Sequence, residues 1–99
     1  MAKYDVHAYS AGDGYLLDVQ AELLDHLNTR VVVPLLAQDK APAPAARLNP
    51  VFDIKDTPHV MATQFLAAVP KAELGPAIAN LEPEFADITS ALDMVFQGF

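Results

Sequence analysis

The run Lys3-Tyr4-Asp5-Val6-His7-Ala8-Tyr9, then Gly12-Asp13-Gly14, then Tyr15-Leu16-Leu17-Asp18-Val19-Gln20 sets the fold class of this chain. Tyr4, Val6 and Ala8 fall on one side of the first run, and Lys3, Asp5, His7 and Tyr9 on the other. That two-residue period is the pattern of a half-buried strand. The glycines supply the positive φ angles of a tight reversal, so a second strand follows with Tyr15, Leu17 and Val19 on one face. The opening is therefore a β-hairpin.

Outward from the hairpin the pattern changes. Ala21 to Asn28 is mostly polar, but it holds the pair Leu23-Leu24 between Glu22 and Asp25. Adjacent residues outside a helix point to opposite sides, so at least one leucine is expected at the surface. If the pair sits in a helical turn, both can be buried. Arg30 to Leu36 is a β-branched strand broken by Pro34, which marks an edge, a bulge or a strand end. Ala37 to Ala46 reads as a loop. Pro50 to Lys55 and Val60 to Ala68 read as strands around a turn at Asp56-Thr57-Pro58. Lys71 to Asn80 reads as short and partly helical, broken at Gly75-Pro76. Pro83 suits a first helical position. Phe85, Ile88, Leu92, Val95 and Phe96 then recur at helical spacing. The expected architecture is mainly β, about five short antiparallel strands with one C-terminal amphipathic helix, in a single domain over residues 1–99.

Composition narrows the function. Charged residues make up 19% of the chain, below the roughly 25% of an average soluble domain. Apolar surface is left for a protein interface or for a well-filled core. Net charge is −7, and no two of the six Lys and Arg residues are adjacent. Phosphate binding draws on clustered Lys and Arg, so direct nucleic-acid binding is not expected, and a partner with a basic surface is. With no cysteine there is neither a disulfide nor a thiolate metal site. His7, His26 and His59 lack ligand spacing, Ser10 and Ser90 sit in no nucleophile motif, and no glycine-rich phosphate loop occurs. No active site, metal or cofactor is expected. The longest apolar run, Val31 to Ala37, is too short to span a bilayer, and Met1 to Asp5 does not resemble a signal peptide; a cytoplasmic protein is expected.

Two places stand out as candidate contacts. One is Leu23-Leu24. The other is the ending Asp93-Met94-Val95-Phe96-Gln97-Gly98-Phe99, where a ring follows a helix and a glycine. Aromatics are favoured interface anchors, although Phe99 could instead fold back onto its own domain.

The ordered set Tyr15-Leu16-Leu17-Asp18-Val19-Gln20, Leu23-Leu24-Asp25, Thr29-Arg30-Val31-Val32-Val33-Pro34-Leu35, Leu48-Asn49-Pro50-Val51-Phe52, Ala68-Val69-Pro70 and Phe96-Gln97-Gly98-Phe99 resembles the CcdB toxin family over nearly the whole chain. The resemblance implies an SH3-like barrel shared with the Kid and MazF toxins, and a homodimer with its C-terminal helices near the two-fold axis. It implies a toxin that binds the A-type subunit of DNA gyrase and traps the enzyme with cleaved DNA. It also implies a CcdA-type antitoxin that neutralises the toxin and co-represses the operon with it. Carried over by position, Leu23, Leu24, Asp93, Phe96, Gln97, Gly98 and Phe99 would contact gyrase, and Met94 and Val95 would pack at the dimer seam. Gln97 stands where the family's best-known members carry tryptophan, Asp93 where they carry asparagine, and Phe99 where they carry a smaller aliphatic. Losing a tryptophan anchor costs on the order of 2 kcal/mol, roughly thirtyfold in affinity. The resemblance leaves two other readings open: a diverged relative with a lost or altered target, and a MazF-type ribonuclease on the same fold.

Overall fold

The computed structural model describes residues 2–9 and 12–98. Seven strands and one α-helix follow one another: β1 (Asp5–Tyr9), β2 (Tyr15–Asp18), β3 (Thr29–Ala37), β4 (Val51–Ile54), β5 (Thr57–Met61), β6 (Ala67–Pro70), β7 (Leu74–Asn80) and α1 (Phe85–Gln97). All pairings are antiparallel. The sheet runs β4-β5-β3-β2-β1-β7, with β6 also on β3. This is the mainly β fold with a C-terminal helix that the sequence pattern calls for, in the form of a curled half-barrel.

The opening hairpin forms, but of its two turn glycines only Gly14 takes a positive φ, and its second strand ends at Asp18. Val6 lies opposite Leu17, His7 opposite Leu16 and Ala8 opposite Tyr15. Gly14 sits at φ +81°, where an added Cβ would lie 2.7 Å from the carbonyl oxygen of Leu35, so only glycine fits. The strand starts at Asp5 rather than Lys3 because Tyr4 holds a left-handed φ of +72°. Val6, Leu17, Val33, Leu35, Phe52, Ile54 and Met61 form the core, closed by Ile88 and Ala91 of α1. Burial on this scale is the main term that offsets chain entropy.

Strand β3 organises the sheet. It pairs with β2 along one edge; on the other it meets β6 through Val32 and β5 from Leu35 onward. Pro34 lies in the gap between those two partners. Its carbonyl accepts a bond from the Ala62 amide on that edge, so its nitrogen faces the same gap, where no ladder bond is lost. Pro34 thus marks none of an edge, a bulge or a strand end; it marks a change of partner.

Several sequence expectations need correcting. The described residues hold seven strands where about five were expected. Lys71 to Asn80 is not helical beyond one 3-10 turn at Lys71–Glu73. Its remainder is β7, which pairs with β1 with two register breaks. Pro76 falls in the second break, on an outer strand, where its missing N–H is tolerated. The β4–β5 turn is Lys55-Asp56, both at positive φ, while Thr57 and Pro58 already pair with Ile54 and Asp53. That two-residue reversal matches the right-handed twist of its strands. Val60 to Ala68 is not one strand, because a 3-10 turn at Thr63–Phe65 separates β5 from β6. Pro83 lies in a 3-10 turn, Glu82–Glu84, that leads into α1.

Candidate functional site

The two places flagged from sequence are both exposed, but they are built differently. Leu23 and Leu24 lie in a 3-10 turn, Glu22–Leu24, closed by bonds from the Leu24 amide to Ala21 and from the Asp25 amide to Glu22. The helical-turn alternative is right about the conformation, yet neither leucine is buried. Leu23 is 88% exposed, and Leu24 and Leu27 are partly so.

Beneath this apolar turn is a buried ionic group. Arg30, on β3, has no solvent exposure. Its Nε donates to Asp18 Oδ2 at 2.8 Å, and its Nη1 donates to Asp25 Oδ1 at 2.8 Å. Nη2 lies 2.6 Å from the same Asp18 oxygen, an ion-pair contact too bent to count as a hydrogen bond. Asp18 is equally buried, and its other oxygen accepts the Gln20 amide at 3.0 Å. The Gln20 side chain accepts the Val31 amide and donates to the Leu24 carbonyl. Lys71 donates through Nζ to the Asp25 carbonyl, and its amide donates to the Asn28 carbonyl. The face of β2 and β3 turned away from the core is therefore covered as well, with Asp18 and Arg30 beside the buried apolar Leu16 and Val32. An unpaired charge there would be costly, and here each is matched.

The second place is the end of α1. Ile88 and Ala91 are buried, while Leu92, Asp93, Met94 and Val95 are half-buried. Phe96 is 68% exposed, and Gln97 and Gly98 are exposed as well. Gly98 ends the helix at φ +80°, with its amide bonded to the Met94 carbonyl at 3.0 Å, a left-handed cap. No atom lies near the position of an added Cβ, so the angle and not the space calls for glycine. Phe99 lies outside the described residues. At about 100° per residue, Phe85 and Phe96 lie on one side of α1, beside the buried stripe rather than on it. The apolar spacing is therefore wider than the face the helix buries. Phe85 at 57% exposed, and Phe65 in the turn before β6, are exposed rings that sequence reasoning did not single out. Periodicity alone gave no signal that either was uncovered.

A third feature is a shallow depression of about 300 Å³ at one end of the sheet, lined in part by Asp13, Tyr15, Lys40 and His59. Lys40 donates to Asp13 at 3.0 Å, and that bond and the adjacent charge raise its pKa. The His59 ring stands edge-on to Tyr15, and its Nδ1 donates to the Thr57 carbonyl at 2.8 Å. Elsewhere, His7 is buried and donates through Nδ1 to the Gly75 carbonyl. Among the described residues no group of three or more His, Asp or Glu could hold a metal ion, and no helix is long and apolar enough to cross a membrane.

Solved structures share this fold. A mycobacterial endoribonuclease in complex with its cognate antitoxin matches with a TM-score of 0.75 and 21% identity, over 96% of this chain and 93% of that one. The Mycobacterium tuberculosis toxin MazF-mt6 matches at 0.77 and 17% identity, over 93% and 95%. Another structure of an endoribonuclease from a mycobacterial species matches at 0.77 and 19%, over 96% and 89%. The architecture is thus that of the MazF-like toxins, a curled antiparallel half-barrel closed by a C-terminal helix. Within that class, the family model for the CcdB protein matches residues 3–98, and the chain belongs to the CcdB family. Family and fold together support a toxin of a toxin–antitoxin system.

Proposed function

We propose that this protein acts by binding and not by catalysis: as a homodimer it grips the A-type subunit of DNA gyrase and holds the enzyme on cleaved DNA. In this reading a CcdA-type antitoxin neutralises it and co-represses the operon with it, and the protein works in the cytoplasm. The observation that carries the reading is the exposure of Leu23 and Phe96, one from each of the two places where the family's contacts fall. Large apolar groups left in water release that surface when a partner's pocket encloses them, which favours binding. In this reading Leu24, Asp93, Gln97 and Gly98 complete the surface, Phe99 is the contact that the resemblance adds, and Met94 and Val95, half-buried in one chain, pack at the dimer seam.

The test is incubation of purified protein with gyrase, ATP and circular DNA, followed by detergent and protease. Linear DNA accumulating at micromolar protein is the expected result; its absence overturns the proposal. Restoring the ring with Gln97→Trp distinguishes a diverged relative, since toxicity only in that variant means the native contact has been lost. A ribonuclease reading finds support in the depression holding His59 and Lys40, side chains able to move a proton and to meet a phosphate. The acidic chain weighs against an RNA groove. Cleavage of total RNA, abolished by His59→Ala, would establish that reading instead.

A further inference from the structure

The turn that carries Leu23 and Leu24 is exposed throughout, from Ala21 to Thr29, yet it rests on the most deeply buried charges in the molecule. A chain segment with no fully buried side chain of its own depends largely on its polar bonds for order. Here those bonds converge from three places. Arg30 on β3 reaches Asp25; Gln20, just past β2, reaches the Leu24 carbonyl; Lys71, between β6 and β7, reaches the carbonyls of Asp25 and Asn28. Arg30 is itself fixed from below by Asp18, which also holds the Gln20 amide.

We infer that Asp18, Arg30, Gln20 and Asp25 form a mount that presets the leucine turn in its binding shape, so that these four are positioning residues for this contact although, in this part of the molecule, only the leucines touch the partner. The inference rests on the reading that this turn meets gyrase. Its physical basis is that ordering a loop on binding costs affinity, and a segment ordered beforehand avoids that cost. Asp25 is the informative member. Its side chain is half exposed, so its removal opens no cavity, while Arg30 keeps the buried Asp18 as its main partner.

The experiment uses full-length protein with Asp25→Ala and Asp25→Asn. Amide hydrogen exchange of the free protein reports the mount directly. In Asp25→Ala the Leu24, Asp25 and Leu27 amides should exchange about tenfold faster, while Leu17 and Val33 in the core strands stay as in the wild type. Asp25→Asn keeps an acceptor and should recover most of the protection. Affinity for a gyrase A fragment should fall about tenfold in Asp25→Ala. That loss should nearly vanish in a Leu23→Ala background and persist in a Phe96→Ala background, because only the first pair is coupled. Unchanged exchange in the turn overturns the inference. So does faster exchange with unchanged affinity, or coupling to Phe96 in place of Leu23. If the wild type does not bind gyrase at all, the proposed function falls, and the exchange arm alone decides whether the mount exists.

Discussion

The leucine turn and the end of α1 expose similar apolar groups by opposite means. The turn is short, has no buried side chain of its own and is held by bonds from β2, β3 and the β6–β7 corner. The helix end continues an element whose inner face is already packed, and a single backbone cap at Gly98 finishes it. The first takes its shape from buried charge and the second from a dihedral angle. Damage beneath the turn should therefore threaten the whole fold, whereas damage at the helix end should stay local.

The sharpest way to break this contrast is Arg30→Met. It leaves Asp18 buried without its cation and should lower stability by about 3–5 kcal/mol, read by urea unfolding. A loss below about 1 kcal/mol would mean that the buried pair does not support the sheet. Next comes Phe96→Ala. The ring is mostly in water, so stability should hardly move, while under the proposed function affinity for gyrase A should fall roughly thirtyfold by calorimetry. If unfolding shifts as much as binding, the ring is not a free prong. Gly98→Ala should cost about 1 kcal/mol, since alanine disfavours the left-handed angle and meets no neighbour there. Asp25→Ala belongs between these effects, with its loss confined to the turn.

The smallest effect concerns pH. Burial alone would raise the Asp5 pKa, but bonds from the Asn80 side chain and the Ala2 amide, with the charge of His7, outweigh it and hold the carboxyl below its usual value. A depressed carboxyl stabilises the fold above its unfolded pKa and loses that contribution as pH falls through the lower folded value. The advantage of the wild type over Asp5→Asn should therefore be present at neutral pH and shrink as pH drops below about 4. A constant difference across that range would show that the Asp5 charge plays no part.

Much of this is legible in the residues alone. The alternation from Lys3 to Gln20 and the glycines between specify the hairpin, and the spacing from Phe85 to Phe96 specifies the helix. Leu23-Leu24 reads as a pair with at least one member at the surface, and only the structure shows that both are exposed although they lie in a helical turn. Strand β7 was missed because Gly75-Pro76 reads as a breaker, and only an outer strand with a shifted register absorbs it. The split between β5 and β6 was missed because apolar residues run through it, and the 3-10 turn at Thr63–Phe65 leaves no period to detect. The buried Asp18–Arg30 pair was invisible because the residues are twelve apart, Asp18 falls on the side of its strand that alternation assigns to water, and the run that holds Arg30 shows no alternation. Pairing across strands is a tertiary fact, and no local pattern encodes it.

Strand β3 carries Arg30, Val32, Val33 and Leu35 with almost no exposure, so neighbours pointing in opposite directions are enclosed alike. A saturation scan along it should lack the every-other-position ripple of an ordinary sheet. Intolerance should instead run nearly unbroken, so inherited variation would be pushed outward to the rim strands and the connecting loops.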